Sequence, residues 1–141
     1  MNKQYCIELE TASKQVIEFL EDRIYEHNAA GINVDDGRLF SRTVRDEHKE
    51  IIAGIAGWTW AGVCEITQFW VNKQFRKNGI GKMLLKAAEE EAKAKGCDII
   101  LVKSYSFQAP HFYEKCGYRI AHILNDFPKG CNYYTLIKRI G

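Results

Sequence analysis

The spacing of hydrophobic residues along this chain changes several times, and each change predicts a new element. The segment Gln4 to Leu9 is predicted to be a first strand. From about Thr11 the apolar residues recur every three or four positions, which predicts a helix that buries one face. The pattern stops between Asn28 and Gly37, where Gly and Asp cluster. That segment is predicted to be a loop, and it could sit beside a substrate.

From Arg38 to Val71 the pattern changes to β-branched and aromatic residues in three runs, RLFSRTVRD, IIAGIAGWTW and VCEITQFWV. Such runs, when broken by turn residues, predict strands that follow one another as hairpins. The polar segment Asp46 to Lys49 supplies the first turn, and Ala61 with Gly62 supplies a tight second turn.

The second half of the chain predicts a helix, a strand, a short helix and two strands. An apolar stripe from Ile80 to Glu91 predicts the longer of these two helices, which ends at Gly96. The continuous apolar run CDIILVK predicts a buried strand. A short helix is expected over Ala109 to Lys115, followed by strands at Tyr118 to Leu124 and Asn132 to Lys138. The order βαβββαβαββ predicts an α/β (mixed α+β) fold, with a mostly antiparallel central sheet and helices on both faces.

Composition narrows the class of protein. The chain has 141 residues, 46% of them hydrophobic, which predicts a single globular domain over residues 1–141. Twenty basic and 18 acidic residues leave a net charge of +2, so no nucleic-acid or membrane partner is expected. No spanning segment or signal peptide is recognisable, which favours a cytoplasmic protein. Five cysteines without a CxxC pair argue against a disulfide framework and against a metal site.

The segment most informative about chemistry is FWVNKQFRKNGIGKMLL, where a strand leads through RKNGIG into a helix. Gly79 and Gly81 allow the backbone to turn sharply and to approach a ligand closely. A helix N-terminus carries unpaired N–H donors and partial positive charge, and Arg76, Lys77 and Lys82 add formal charge, so a pyrophosphate site is expected. The phosphate-loop motif and the three-glycine dinucleotide motif are absent, which disfavours nucleoside triphosphates and nicotinamide cofactors.

Two motifs in this order resemble a known family. Arg76, Gly79 and Gly81 match the R/Q-x-x-G-x-G/A signature of the GNAT superfamily of N-acetyltransferases. Some thirty residues later, SFQAPHFYEKCGYR is similar to the second signature of that superfamily. The resemblance covers nearly the whole chain and implies acetyl-CoA as the acetyl donor.

The resemblance also implies which residues bind the donor. The RKNGIG loop would hold the coenzyme A pyrophosphate, and backbone groups near Phe69 and Val71 would pair with the pantetheine arm, much as a sheet edge recruits an added strand. Gln108 stands near the position of an asparagine that touches pantetheine in many relatives, with Ser104 or Ser106 as alternatives. The complete set of expected cofactor-binding residues is Phe69, Trp70, Val71, Arg76, Lys77, Asn78, Gly79, Ile80, Gly81, Lys82 and Gln108.

Two residues are candidates for catalysis. By resemblance, Tyr113 aligns with a tyrosine that protonates the coenzyme A sulfur, and the N–H of Val71 is the expected oxyanion donor. The two-residue period of a strand places Glu65 on the same face as Phe69 and Val71, where its carboxylate could act as general base through water. Water is another candidate for that role.

Other side chains have less specific interpretations. His111 and His122 are alternative bases, although each is expected to be structural or solvated. Trp58 and Trp60 share one face of a strand, either in the core or in an acceptor pocket. The acidic run from Glu89 to Glu91 is expected to form a solvated helix face.

The sequence therefore predicts an acetyl-CoA-dependent N-acetyltransferase that acts on a primary amine of a small molecule or a peptide. The alternative is a non-catalytic acyl-CoA-binding sensor or interaction module. By analogy with the superfamily, the protein could form a homodimer.

Overall fold

The computed structural model describes residues 4–8 and 13–141. The chain divides into two compact units, Met1–Asp35 and Asp36–Gly141. In the first unit, residues 4–8 have no regular secondary structure, so the predicted first strand is wrong over these positions. Leu9, the last residue of that prediction, lies outside the described residues.

Helix α1 spans Lys14–Ile32. It begins after Ser13, whose hydroxyl accepts the N–H of Val16 at 3.1 Å, and it ends at Asn33, which adopts the left-handed conformation typical of a helix end. Thr11, where the helix was expected to begin, lies outside the described residues. The predicted loop from Asn28 is wrong as far as Ile32, because α1 continues through that segment.

The apolar positions of α1 were expected to be buried, and they are instead 40 to 59% exposed: Val16, Phe19, Leu20 and Ile24. Residues 4–8, which are the other part of this unit that the structure describes, are exposed as well. Hence the described part of the first unit supplies no second layer on which the helix could bury a face.

The second unit contains a six-stranded sheet, a 3₁₀ turn and two helices. Their bounds are β1 Arg38–Arg45, β2 Ile51–Trp60, β3 Val63–Val71, the 3₁₀ turn Lys73–Phe75, α2 Ile80–Ala94, β4 Ile99–Tyr105, α3 Pro110–Lys115, β5 Arg119–Asn125 and β6 Asn132–Arg139. The strand order is β1-β2-β3-β4-β6-β5, and β3 with β4 is the parallel pair in an otherwise antiparallel sheet. The predicted α/β fold with a mostly antiparallel sheet is confirmed.

The two predicted hairpin turns have the expected chemistry. The carboxylate of Asp46 accepts the N–H groups of His48 and Glu50, at 2.8 and 3.0 Å, and so closes the turn between β1 and β2. Ala61 and Gly62 have φ of 50° and 81°, which are the two positive φ angles that a tight two-residue hairpin needs. These local signals explain why the sequence predicted β1 to β3 correctly.

A β-bulge in β3 changes which side chains share a face. Gly57 pairs with Ile66 and Ala56 pairs with Gln68, so Thr67 is an extra residue on β3. The two-residue alternation therefore reverses between Ile66 and Phe69. The expectation that Glu65 shares a face with Phe69 and Val71 is wrong for this reason.

The core lies on one face of the sheet, against α2, and this face is called the core face. It includes Cys64 and Ile66 before the bulge, with Phe69 and Val71 packed against the same cluster after it. The α2 side chains in this core are Leu84, Leu85, Ala88 and Ala92. The opposite surface, called the far face, carries Glu65 across from Trp58, with Trp60 beside them.

The acidic run on α2 is only partly solvated, which corrects the expectation for Glu89 and Glu91. Glu89 accepts a hydrogen bond from the Tyr118 hydroxyl at 2.9 Å and pairs with Lys138 at 3.2 Å. Glu91 pairs with Arg42 at 3.1 Å. These partners are 29 to 49 residues away in sequence, so helical spacing could not reveal them.

Gly57 is the position in β2 where we expect a side chain to be least tolerated. A Cβ at Gly57 would overlap the carbonyl oxygen of Glu65 and would lie 2.9 Å from Phe40 Cζ. We predict that Gly57→Ala lowers the free energy of unfolding by about 1 to 3 kcal/mol, the usual cost of overpacking. The matched control is Gly54→Ala, where the nearest atom is the Arg42 oxygen at 3.3 Å. Urea unfolding of both variants measures the difference, and equal losses would contradict the prediction.

Candidate active site

The site begins where β3 and β4 separate. These strands pair only over Val63–Ile66 and Ile99–Val102, although β3 continues to Val71 and β4 to Tyr105. The separation follows directly after Ile66, at the bulged residue Thr67. Bulges twist a strand locally and end its pairing, so the bulge accounts for a gap between the two strand ends.

Backbone groups of β3 point into this gap. The N–H of Asn72 donates to Ile52 O at 2.7 Å. In an antiparallel ladder this bond flanks a pair that exchanges no hydrogen bonds of its own, which here is Val71 with Ala53. The N–H and C=O of Val71, and by the same alternation those of Phe69, therefore point away from β2. These are the groups that the sequence predicted for the pantetheine arm.

The loop Arg76–Gly81 follows and ends in the first turn of α2. Lys77 and Gly79 adopt positive φ angles of 69° and 79°, so the chain turns sharply before the helix. The side chain of Arg76 donates from Nε to Val71 O at 3.0 Å, which ties the loop to the end of β3. Beyond Gly79, the first N–H groups of α2 have no partner within the helix and favour an anion.

These elements enclose one cleft of about 690 Å³. Its walls contain Phe69, Trp70, Val71, Phe75, Arg76, Lys77, Gly79, Ile80, Gly81, Lys82, Phe107, Gln108, Ala109, Phe112 and Tyr113. Every expected cofactor-binding residue except Asn78 lies in these walls. The Asn78 amide instead donates to Phe75 O at 3.4 Å.

Four wall residues were missed by the sequence analysis: Phe75, Phe107, Ala109 and Phe112. All four directly adjoin or lie within the two motifs, and they could have been found there. They were given no role in binding, because a single sequence does not show which apolar residues face a cavity.

Tyr113 lies in the cleft wall and is only 6% exposed. Its ring packs edge-to-face against Phe69, Phe112 and Tyr118, with centroid distances of 6.1, 5.4 and 5.8 Å. Burial, with a smaller contribution from Cys116, raises the pKa of Tyr113 to about 12. The hydroxyl therefore keeps its proton at neutral pH, as a general acid must.

The side chain of Gln108 is turned toward the end of β4. Its Oε1 accepts the Tyr105 N–H at 2.7 Å, so this oxygen closes a turn. Ser104 and Ser106, the alternatives for a pantetheine contact, are also engaged: Ser104 Oγ accepts the Ala109 N–H at 3.3 Å, and Ser106 Oγ accepts the Asn132 N–H at 3.0 Å.

The candidate bases occupy three separate places. Glu65 is half-buried on the far face and does not line the cleft. His111 Nδ1 lies 3.1 Å from Glu114 Oε1, and its side chain is 88% exposed. His122 is exposed in β5. Both histidines therefore have the solvated environment expected for them.

The chemistry of the cleft fits a thioester of coenzyme A. An extended amide-bearing arm can pair with the backbone of Phe69 and Val71, and a pyrophosphate can bind at the α2 N-terminus beside Arg76 and Lys82. When bound, such a donor supplies an activated acetyl group. This combination of a parted parallel strand pair, a glycine-containing anion loop and a buried tyrosine fits an acyl-CoA-dependent acyltransferase.

Comparison with known proteins gives the family. Residues 4–118 match the model of the acetyltransferase (GNAT) family, and the chain belongs to that family. A curated relative, blasticidin-S acetyltransferase of Streptomyces morookaense, is 34% identical over 98 residues, covering 67% of this chain and 70% of the relative.

Solved structures agree with the family assignment. A crystal structure of an acetyltransferase from Bacillus cereus ATCC 14579 is 31% identical, with a TM-score of 0.77 over 95% of this chain and 98% of that one. An aminoglycoside 6'-N-acetyltransferase complexed with coenzyme A shares the fold, with a TM-score of 0.64 and 19% identity over 72% of each chain. As a member of the acetyltransferase (GNAT) family, the protein is an acetyltransferase whose donor is acetyl-CoA.

Among the residues that the structure describes, no helix is long and apolar enough to cross a membrane.

The two glycines of the anion loop should respond differently to alanine. Gly79 has a φ of +79°, where a Cβ costs about 1 to 2 kcal/mol. At Gly81 a Cβ would meet Phe112 at 3.6 Å and Phe69 at 3.7 Å, which are ordinary contacts. In Gly79→Ala the free loop can relax to a negative φ, so binding has to restore the strained conformation. We predict that this weakens coenzyme A binding about tenfold, since 1.4 kcal/mol is a factor of ten. Gly81→Ala should stay within about twofold of the unmodified protein in isothermal titration calorimetry. Equal losses would show that strain at Gly79 does not decide affinity.

Proposed function

We propose that this acetyltransferase transfers the acetyl group of acetyl-CoA to a primary amine of a small molecule, by direct attack of the amine in a ternary complex. Tyr113 acts as general acid and Glu65 as general base. The similarity to blasticidin-S acetyltransferase, 34% over 98 residues, supports a small-molecule acceptor over a peptide.

The observation that carries the proposal is that the two candidate groups lie on opposite faces of the sheet, with Glu65 on β3 just before its pairing with β4 ends. Tyr113 belongs to the cluster on the core face, whereas the bulge at Thr67 leaves Glu65 on the far face. Direct transfer needs a proton removed from the amine on one side and a proton given to the leaving sulfur on the other. Groups on opposite faces can do both without competing for one position.

The backbone completes the machinery. The N–H of Val71 points into the gap, where it can donate to the thioester oxygen as negative charge develops there. The C=O of Val71 is occupied by Arg76 Nε, at 3.0 Å, which fixes the orientation of this peptide group. A donor that is oriented before the reaction stabilises charge without rearrangement.

A non-catalytic acyl-CoA sensor would have the same cleft, so activity must decide between the two functions. The test is release of coenzyme A, detected with a thiol reagent, from acetyl-CoA and a panel of small primary amines and unacetylated peptides. Release with a small amine supports the proposal, and release with peptides alone would reassign the acceptor. Tight acetyl-CoA binding without release for any amine would favour the sensor.

Replacing Tyr113 with Phe removes the acidic proton and keeps the ring that packs against Phe69. We expect kcat to fall roughly 100-fold, a typical contribution of general acid catalysis, with the Kd of acetyl-CoA unchanged. Steady-state kinetics and calorimetry measure the two quantities. An unchanged kcat would reject Tyr113 as the acid.

The pH dependence gives a second check on Tyr113. Because its pKa is raised to about 12, the hydroxyl is protonated below that value and loses its proton only above it. The kcat of the unmodified protein should therefore not decline between pH 8 and about 10.5, as it would for a tyrosine of ordinary pKa near 10. A decline in that range that Tyr113→Phe abolishes would contradict the assignment of a raised pKa.

Replacing Glu65 with Gln should slow the reaction mainly at low pH, where most of the amine is protonated and must lose a proton. We expect a loss in kcat/KM of about tenfold or more near pH 6.5 that becomes small once the free amine predominates. The control is Glu114→Gln, an exposed carboxylate beside His111. A pH-independent effect of Glu65→Gln would assign proton removal to water or histidine.

A further inference from the structure

Aromatic rings form a continuous stack at the end of β4, next to the cleft. The ring of Tyr133 in β6 lies 4.4 Å from that of Tyr105, and the ring of Phe107 lies 5.3 Å from Tyr105 at an interplanar angle of 5°. Phe127 contacts the other end of the stack, 5.4 Å from Tyr133. Phe107 is the member that lines the cleft, and it is 65% exposed.

Hydrogen bonds fix the turn that carries Phe107. Gln108 bonds to Tyr105 twice, through its side-chain oxygen at 2.7 Å and its backbone N–H at 2.9 Å. Ser106 and Asn132 bond to each other twice as well, at 2.8 and 3.0 Å. The turn is therefore closed on both sides of Phe107, and a ring held in advance loses less entropy when a ligand binds to it.

The stack stands on the same face of the sheet as Glu65. Glu65 pairs with Leu101 in the parallel ladder, so these two side chains share the far face. Tyr105 lies four residues beyond Leu101 on β4, and the two-residue alternation keeps it on that face. An amine that reaches Glu65 approaches from the face that carries the rings.

We infer that the outer face of Phe107 binds a flat, unsaturated ring of the acceptor, so that the substrate class is primary amines attached to planar ring systems. This inference rests on the proposed function and narrows it. Tyr105 stacks on the other face of the Phe107 ring, and Tyr133 in turn stacks on Tyr105. Gln108 is a positioning residue that holds the turn. A planar ring can place all its atoms in contact with Phe107, whereas a puckered ring cannot.

The test compares two amines that differ in ring shape alone, benzylamine and cyclohexylmethylamine. Calorimetry is done on the protein saturated with coenzyme A, so that binding is measured without turnover. We expect benzylamine to bind about fivefold tighter, and Phe107→Leu to reduce this ratio to below about twofold. A site that merely favours apolar groups would give the reverse order, since the saturated ring is the more hydrophobic.

The matched control is Phe19→Leu on α1, which removes another exposed ring, 57% exposed, and should keep the fivefold ratio. An unchanged acetyl-CoA-induced rise in melting temperature shows that both variants are folded and bind the donor. A ratio near one in the unmodified protein, a ratio that survives Phe107→Leu, or no benzylamine binding at millimolar concentration would each overturn the inference.

Coenzyme A release separates this inference from the proposed function. Preference for the flat ring without release for any amine would refute catalysis and leave the ring-binding surface standing. Release for amines of both shapes at equal kcat/KM would uphold catalysis and refute the ring-binding surface.

Discussion

The separation of β3 from β4 is the feature on which the rest of the site depends. If this parallel pair continued to Val71, the N–H and C=O groups of Phe69 and Val71 would be used within the sheet. Their pairing ends at Ile66 instead, so the backbone of the sheet itself becomes the binding surface. Arg76 Nε satisfies the C=O of Val71, and a ligand or solvent must satisfy the other groups, because unpaired backbone groups are costly when buried away from water. The same hydrogen-bonding rules that build the sheet therefore favour a ligand at this gap.

Positively charged side chains lie beside that gap. The net charge of the chain is only +2, yet Arg76, Lys77 and Lys82 all line the cleft beside the first turn of α2. Arg76 also bonds to the carbonyl of Val71, so the anion-binding loop and the strand end are held in one arrangement. Favourable electrostatics for a pyrophosphate is therefore local, and overall composition could not have revealed it.

Most of the second unit could be predicted from sequence because its signals are local. Each signal involves only a few neighbouring residues: the turn at Asp46, the pair Ala61 and Gly62, and the helix end at Gly96. What could not be predicted depends on contacts between distant segments. The extra residue at Thr67 is visible only in the register with β2, and without it the face of Glu65 was assigned wrongly. For the same reason Glu89 was taken as solvated, although Lys138 lies beside it in the fold.

In the proposed mechanism, the two faces of the sheet carry different groups. The core face holds Tyr113 in a cluster of aromatic rings, where burial raises its pKa to about 12, so the hydroxyl keeps its proton at neutral pH as the proposed general acid must. The far face carries Glu65 and the rings that end at Phe107, none of which belongs to the glycine loop. The proposed donor site therefore rests on backbone geometry and one short motif, whereas the proposed acceptor contact rests on Phe107 in the turn after β4. Phe107 is a side chain that neither the strand backbone nor the glycine loop specifies, which is why the motifs identify the family and leave its substrate open.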